Sequence, residues 1–100
     1  MNTPERKAAY RKVIEAFGID PEDVSNSGCE DAASYLNDET PIKRFCVVTQ
    51  SGEWNYAYAN SETLNDAKEW AMMNITDPEF AETPVAIIDL DAGTRLAPRW

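Results

Sequence analysis

Two carboxylates that follow the most apolar stretch of the chain are the first candidates for chemistry. Asp89 and Asp91 stand one residue apart, directly after the run of apolar residues 85–88. Carboxylates at the end of a buried strand can act as a nucleophile and a general acid or base, or as oxygen ligands for a hard cation. Either role requires further groups that the neighbouring residues would have to supply.

The residues around this pair indicate a turn instead. The run 85–94 resembles the first motif of the haloacid-dehalogenase-type phosphatases, but Ala92 is inserted before Gly93-Thr94 and displaces the threonine from its place in that motif. An EF-hand loop that began at Asp89 would need a glutamate at its twelfth position, where this chain has Trp100. We therefore predict a hairpin turn whose aspartates accept hydrogen bonds from nearby backbone amides.

The rest of the chain offers little to other reaction types. It contains no histidine, so a serine or cysteine nucleophile would lack its usual base. Its glycines stand singly and form no phosphate-binding loop. Cys29 and Cys46 form no Cys-x-x-Cys pair, so we expect reduced thiols and no bound metal. These features predict a protein that is not an enzyme and needs no cofactor.

Negative charge is the strongest compositional signal. The 100 residues include 18 acidic and 9 basic side chains, which gives a net charge of −9. Seven of the acids lie between residues 20 and 39, where there is no base: Asp20, Glu22, Asp23, Glu30, Asp31, Asp38 and Glu39. Such a field repels nucleic acid and anionic membranes and attracts a basic protein surface. The same balance is also explained by solubility alone.

Length and hydropathy predict one domain in the cytoplasm. A chain of 100 residues forms a single modest core. We divide it into an N-terminal helical segment, residues 1–41, and a hairpin–helix–hairpin segment, residues 42–100. No apolar run approaches the roughly 18 residues of a membrane span, and the N-terminus leads into no signal-type apolar core.

Apolar periodicity and turn residues divide the chain into helices and strands. The predicted helices span residues 4–17, 30–36 and 61–74, with a helical turn near residues 20–24. The predicted strands span residues 45–49, 54–59, 85–90 and 95–97. Thr3 and Ser61 are the expected N-caps of the two long helices. This order predicts an α+β fold with a four-stranded, mainly antiparallel sheet (β-β-α-β-β), preceded by an N-terminal helix and short helical turns.

A tight turn at Ser51-Gly52 predicts the register of the first hairpin. A two-residue loop there places Thr49 opposite Trp54 and Val47 opposite Tyr56. Since side chains alternate along a strand, the hairpin then has one aromatic face and one face of small residues.

The aromatic face poses the main question about function. Trp54, Tyr56 and Tyr58 share it, and we expect the helix at residues 61–74 to pack on the opposite face, where small side chains permit close approach. The aromatic row is then either covered by the first helix or exposed as a surface for a partner protein, because Trp and Tyr are favoured at interfaces.

These observations leave three functions open. The leading hypothesis is a small acidic binding or inhibitor protein that occludes a basic, possibly nucleic-acid-binding, surface of a partner through the seven acids and the aromatic row. Within it, the carboxylates from Asp20 to Glu39 and from Glu62 to Glu82 would take the place of phosphates. Immunity proteins, antitoxins and phage-encoded anti-defence proteins share this size and charge. The alternatives are a structural protein that oligomerises through its aromatic face or a sheet edge, and an enzyme or small-ligand module. The expected state is a monomer or homodimer that binds neither nucleic acid nor membrane directly.

Overall fold

Helices precede and interrupt a β-sheet in this chain. A computed structural model describes residues 2–20, 29–52, 54–76 and 83–96, without the side chains of residues 29–31, 51, 54 and 74–76. The helices are α1 (Pro4–Ala16), α2 (Cys29–Leu36) and α3 (Leu64–Thr76); the strands are β1 (Phe45–Ser51), β2 (Trp54–Ser61), β3 (Thr83–Asp89) and β4 (Thr94–Leu96). The predicted α+β class and element order are confirmed. Most of the predicted helical turn at residues 20–24 lies outside the described residues.

The sheet has four strands in the order β2-β1-β3-β4, and each neighbouring pair is antiparallel. Strands β2 and β3 therefore lie on either side of β1, and α3 carries the chain from one to the other. Strand β4 spans three of the described residues at that side of the sheet, Thr94–Leu96.

The predicted register of the first hairpin is wrong by two residues. Thr49 pairs with Tyr56, Val47 with Tyr58, and Ser51 with Trp54. The loop begins at Gly52, whose φ of 60° suits the first loop position of a primed turn. Because the error is an even number of residues, the aromatic and small-residue faces keep their predicted membership.

The predicted placement of the helices on these faces is also wrong. Helix α3 packs on the aromatic face, where Ala67 and Ala71 form a buried cluster with Phe45, Val47 and Ile87 of the sheet. The reason is complementary volume: α3 presents alanines, which allow close approach to the larger side chains on that face of the sheet.

Helices α1 and α2 cover the small-residue face instead. Tyr10 and Ile14 of α1 and Tyr35 of α2 pack against a sheet face that includes Cys46 and Ala57. Large helical side chains here fill the space that small strand residues leave. Tyr10 is completely buried, and its hydroxyl donates a 2.7 Å hydrogen bond to the Ala57 carbonyl.

Polar side chains fix the helix starts. Thr3 caps α1 as predicted, since its hydroxyl accepts from the Arg6 amide at 3.2 Å. Ser61, however, is the last residue of β2 and not the cap of α3. Thr63 takes that role, and its hydroxyl accepts from the Asp66 amide at 3.1 Å.

The turn between β3 and β4 confirms the hairpin interpretation of the aspartate pair. One carboxylate oxygen of Asp89 accepts from the backbone amides of Asp91 and Ala92, at 3.0 and 3.1 Å. Gly93 closes the turn with a φ of 72°, a conformation that favours glycine.

Candidate protein-binding surface

A row of half-buried aromatic rings runs from β2 onto α3. The Tyr56 and Tyr58 rings lie nearly parallel, with centroids 6.2 Å apart, and the Tyr58 ring meets the Trp70 ring at 5.0 Å. Next to Trp70 on the helix is Met73, whose side chain is 65% exposed. The predicted aromatic row is thus extended by two α3 side chains.

Acidic side chains border this row on α3. Asp66 and Glu69 are exposed; Asp66 lies four residues before Trp70 and Glu69 four residues before Met73, so each acid is a neighbour of one of these side chains on the helix surface. We call the following set the aromatic–acidic surface: Tyr56, Tyr58, Asp66, Glu69, Trp70 and Met73. It combines partly exposed apolar area with negative charge, a composition suited to a basic protein partner.

Two arginines are held by aspartates of the β3–β4 turn. Arg44 binds both carboxylate oxygens of Asp89, at 3.0 and 2.8 Å, and Arg6 binds both oxygens of Asp91, at 3.1 and 2.9 Å. These bonds lower the pKa of both carboxyls, that of Asp89 to about 2. The paired charges offset one another within the fold and leave its excess negative charge to other acids.

Of the seven predicted acids, Asp38 and Glu39 have described side chains that lie away from the aromatic–acidic surface. Asp38 and Glu39 follow α2, which packs on the opposite face of the sheet from Tyr56 and Tyr58. Asp38 accepts from the Lys7 ammonium at 2.8 Å and from the Asn2 amide at 2.9 Å, and these contacts lower its pKa. A basic residue of α1 thus pairs with an acid of the segment that follows α2.

Several predicted site residues lie wholly or partly beyond the described structure. Glu22 and Asp23 fall outside the described residues. Glu30, Asp31 and Trp54 lie in described helix or strand, but their side chains are not described. Asp20 is exposed and lies four residues after the end of α1.

Trp70 and Met73 were missing from the residues predicted for binding. The sequence held a usable signal, because Asp66, Trp70 and Met73 follow one another at helical spacing on the flank of the buried alanines. This spacing indicates a binding surface only when α3 is known to pack on the aromatic face.

Comparison with known proteins gives no indication of function, so a proposal has to be argued from the aromatic–acidic surface. No protein-family model matches the chain, and neither a curated protein nor a solved structure shows significant similarity to it. Within the described ranges, no helix has both the length and the apolar character needed to cross a bilayer.

A metal site and an activated thiol are two further kinds of reactive site to consider among the described residues. No three His, Cys, Asp or Glu side chains among them are grouped so as to hold a metal ion. Cys46 is a free thiol buried under α1 and α2, and burial raises its pKa, which suppresses the reactive thiolate.

Because of the Arg44–Asp89 ion pair, we expect the fold to lose stability in acid. The pKa of Asp89 falls from 3.8 to about 2 on folding, so the pair stabilises the fold above pH 3.8 and this contribution disappears as the pH falls towards 2. We expect Asp89→Asn to lower the free energy of unfolding by about 1–2 kcal/mol at neutral pH, a figure reduced for the partial exposure of Arg44. Urea denaturation of both proteins across this pH range measures the difference. A difference that stayed constant down to pH ~2 would contradict the assignment.

Proposed function

We propose that this protein binds a basic surface of another protein through its aromatic–acidic surface and thereby occludes it. The observation that carries the proposal is the position of exposed Asp66 and Glu69 directly beside Trp70 and Met73 on α3. The apolar side chains would supply buried area, and the carboxylates would select a cationic partner and accelerate its approach.

The charge of the surface favours a different protein over a second copy of this chain. In a two-fold dimer the same patch of each subunit faces its counterpart. Asp66 and Glu69 would then approach the same acids of the other copy, which costs electrostatic free energy. A basic partner replaces that repulsion with attraction.

A nucleic-acid-binding protein is the kind of partner that this charge pattern would suit best. Such proteins carry lysine and arginine patches that bind phosphates, and carboxylates on an acidic protein can occupy the same patches. Function by occlusion requires no catalytic group and no cofactor on this chain, and it accords with the cytoplasmic location expected from the sequence.

Affinity capture at two salt concentrations tests the proposal. The tagged protein would be incubated with lysate of its native host at about 0.1 M and about 1 M salt, where the Debye lengths are about 10 and 3 Å. We expect a basic protein to be captured at low salt and largely lost at high salt. A partner retained equally at both would contradict charge-based binding, and self-association in sizing runs without any captured protein would support assembly instead.

A further inference from the structure

A groove of about 500 Å³ lies between α1 and the β3–β4 hairpin, away from the aromatic–acidic surface. Helix α1 packs mainly against α2 and β2, and the groove opens between this helix and the hairpin. Apolar side chains line most of it, including Val13, Ala16 and Phe17 of the α1 region and Ile88, Leu90 and Ala92 of the hairpin. This volume lies within the range of small-molecule sites, about 300–1,000 Å³.

The charges around the groove favour an anion at one end. Lys12 and Arg95 both line it, and the Arg95 guanidinium is held 5.0 Å from the centre of the Phe17 ring. Asp89 and Asp91 also line the groove, but their carboxylates are already paired with arginines. Glu5 lies on the same helix, seven residues before Lys12 and therefore about 10 Å away along the axis.

We propose that this groove binds a small organic carboxylate with an apolar body. The body lies on the alanine, isoleucine and leucine floor, and the carboxylate meets Lys12 and Arg95. The inference does not rest on the partner-binding function, because α1 and the hairpin form this site on the other side of the sheet from α3. Loss of either function would leave the other intact.

A matched series of eight-carbon probes tests the charge preference. Octanoate, octan-1-ol and octylammonium share one apolar body, and their binding can be followed by NMR titration of backbone amides. We expect octanoate to bind at least about tenfold more tightly than octylammonium, with shifts concentrated in residues 8–17 and 88–95. Equal or tighter binding of octylammonium would overturn the proposal, as would the absence of shifts with about 10 mM octanoate.

Variants that neutralise Lys12 or Arg95 test whether these side chains bind the carboxylate. Lys12→Gln and Arg95→Gln should each weaken octanoate about three- to tenfold, towards the affinity of octan-1-ol. Arg11→Gln is the matched control, because Arg11 is an exposed cation of α1 that does not line the groove. Ala16→Leu should weaken all three probes by narrowing the groove. If Arg11→Gln weakened octanoate as much as Arg95→Gln, the effect would be one of overall charge and the proposed site would be wrong.

Discussion

Replacement of Tyr10 by alanine is expected to lower the free energy of unfolding by about 3–5 kcal/mol. This side chain of α1 is completely buried between the helix and the sheet. The centroid of its ring lies 5.0 Å from that of Tyr35, and its hydroxyl donates a hydrogen bond to the Ala57 carbonyl. Its removal leaves a cavity between helix and sheet and one less partner for a backbone carbonyl. Since domains of this size have a total stability of about 5–15 kcal/mol, the variant should be close to unfolding at 37 °C.

Two companion variants separate packing from hydrogen bonding. Tyr10→Phe keeps the ring and should cost about 1–1.5 kcal/mol, the usual contribution of a buried hydrogen bond. Tyr56→Ala, on the half-buried aromatic row, should cost clearly less than Tyr10→Ala, because less of its ring leaves water on folding. Denaturant unfolding measures all three. A greater loss from Tyr56→Ala than from Tyr10→Ala would contradict the assignment of large helical side chains to the small-residue face.

The double variant Asp66→Lys with Glu69→Lys is expected to weaken partner binding by about 100-fold or more near physiological salt. Each substitution replaces an attraction with a repulsion at the edge of the aromatic row, and such a change at an interface costs about 1–3 kcal/mol per site. The fold should lose at most about 1 kcal/mol, chiefly because lysine at position 66 opposes the dipole at the start of α3. Quantitative capture from lysate measures the loss of partner binding. Denaturation of the free variant, followed by circular dichroism, measures the loss of stability.

A control with the same change in net charge locates the effect. Glu15→Lys with Glu39→Lys reverses two exposed acids on the α1 and α2 side of the sheet. We expect this variant to retain most of the binding, within about threefold of the unaltered protein. If the control lost binding while Asp66→Lys with Glu69→Lys retained it, the site would lie on the α1 and α2 side of the sheet, and the aromatic–acidic surface would not be the interface.

The order of helices and strands could be predicted because local signals mark each boundary. Thr3 before Pro4, glycine at the turns, and short apolar runs in β1 and β3 act within a few residues of chain. The hairpin register failed on one such detail: a single glycine fits either position of a two-residue loop, and only the pairing of Ser51 with Trp54 shows that it takes the first.

Which helix covers which face could not be predicted from such local signals. Small strand residues such as Ala57 suggested close docking of α3, but α3 also presents small residues, Ala67 and Ala71. Two small faces in contact would leave space unfilled, whereas Tyr10 fills it. Packing of this kind is decided by pairs of surfaces far apart in sequence.

The candidate site was predictable in character but not in extent. Composition predicted an acidic, aromatic binding protein, and Tyr56 and Tyr58 do share a half-buried face. Trp70 and Met73 joined them only through the position of α3 in the fold. Asp38 and Glu39 lie on the opposite side of the sheet because they follow α2, which packs there.

Mapping of the partner-binding surface by NMR tests the central claim most directly. The ¹⁵N-labelled protein would be titrated with the basic protein captured at low salt, and the backbone amide shifts recorded. The proposal predicts shifts and line broadening concentrated at residues 56–58 of β2 and 66–73 of α3, abolished by Asp66→Lys with Glu69→Lys. Shifts confined to α1, α2 and residues 37–40, with β2 and α3 unchanged, would contradict it.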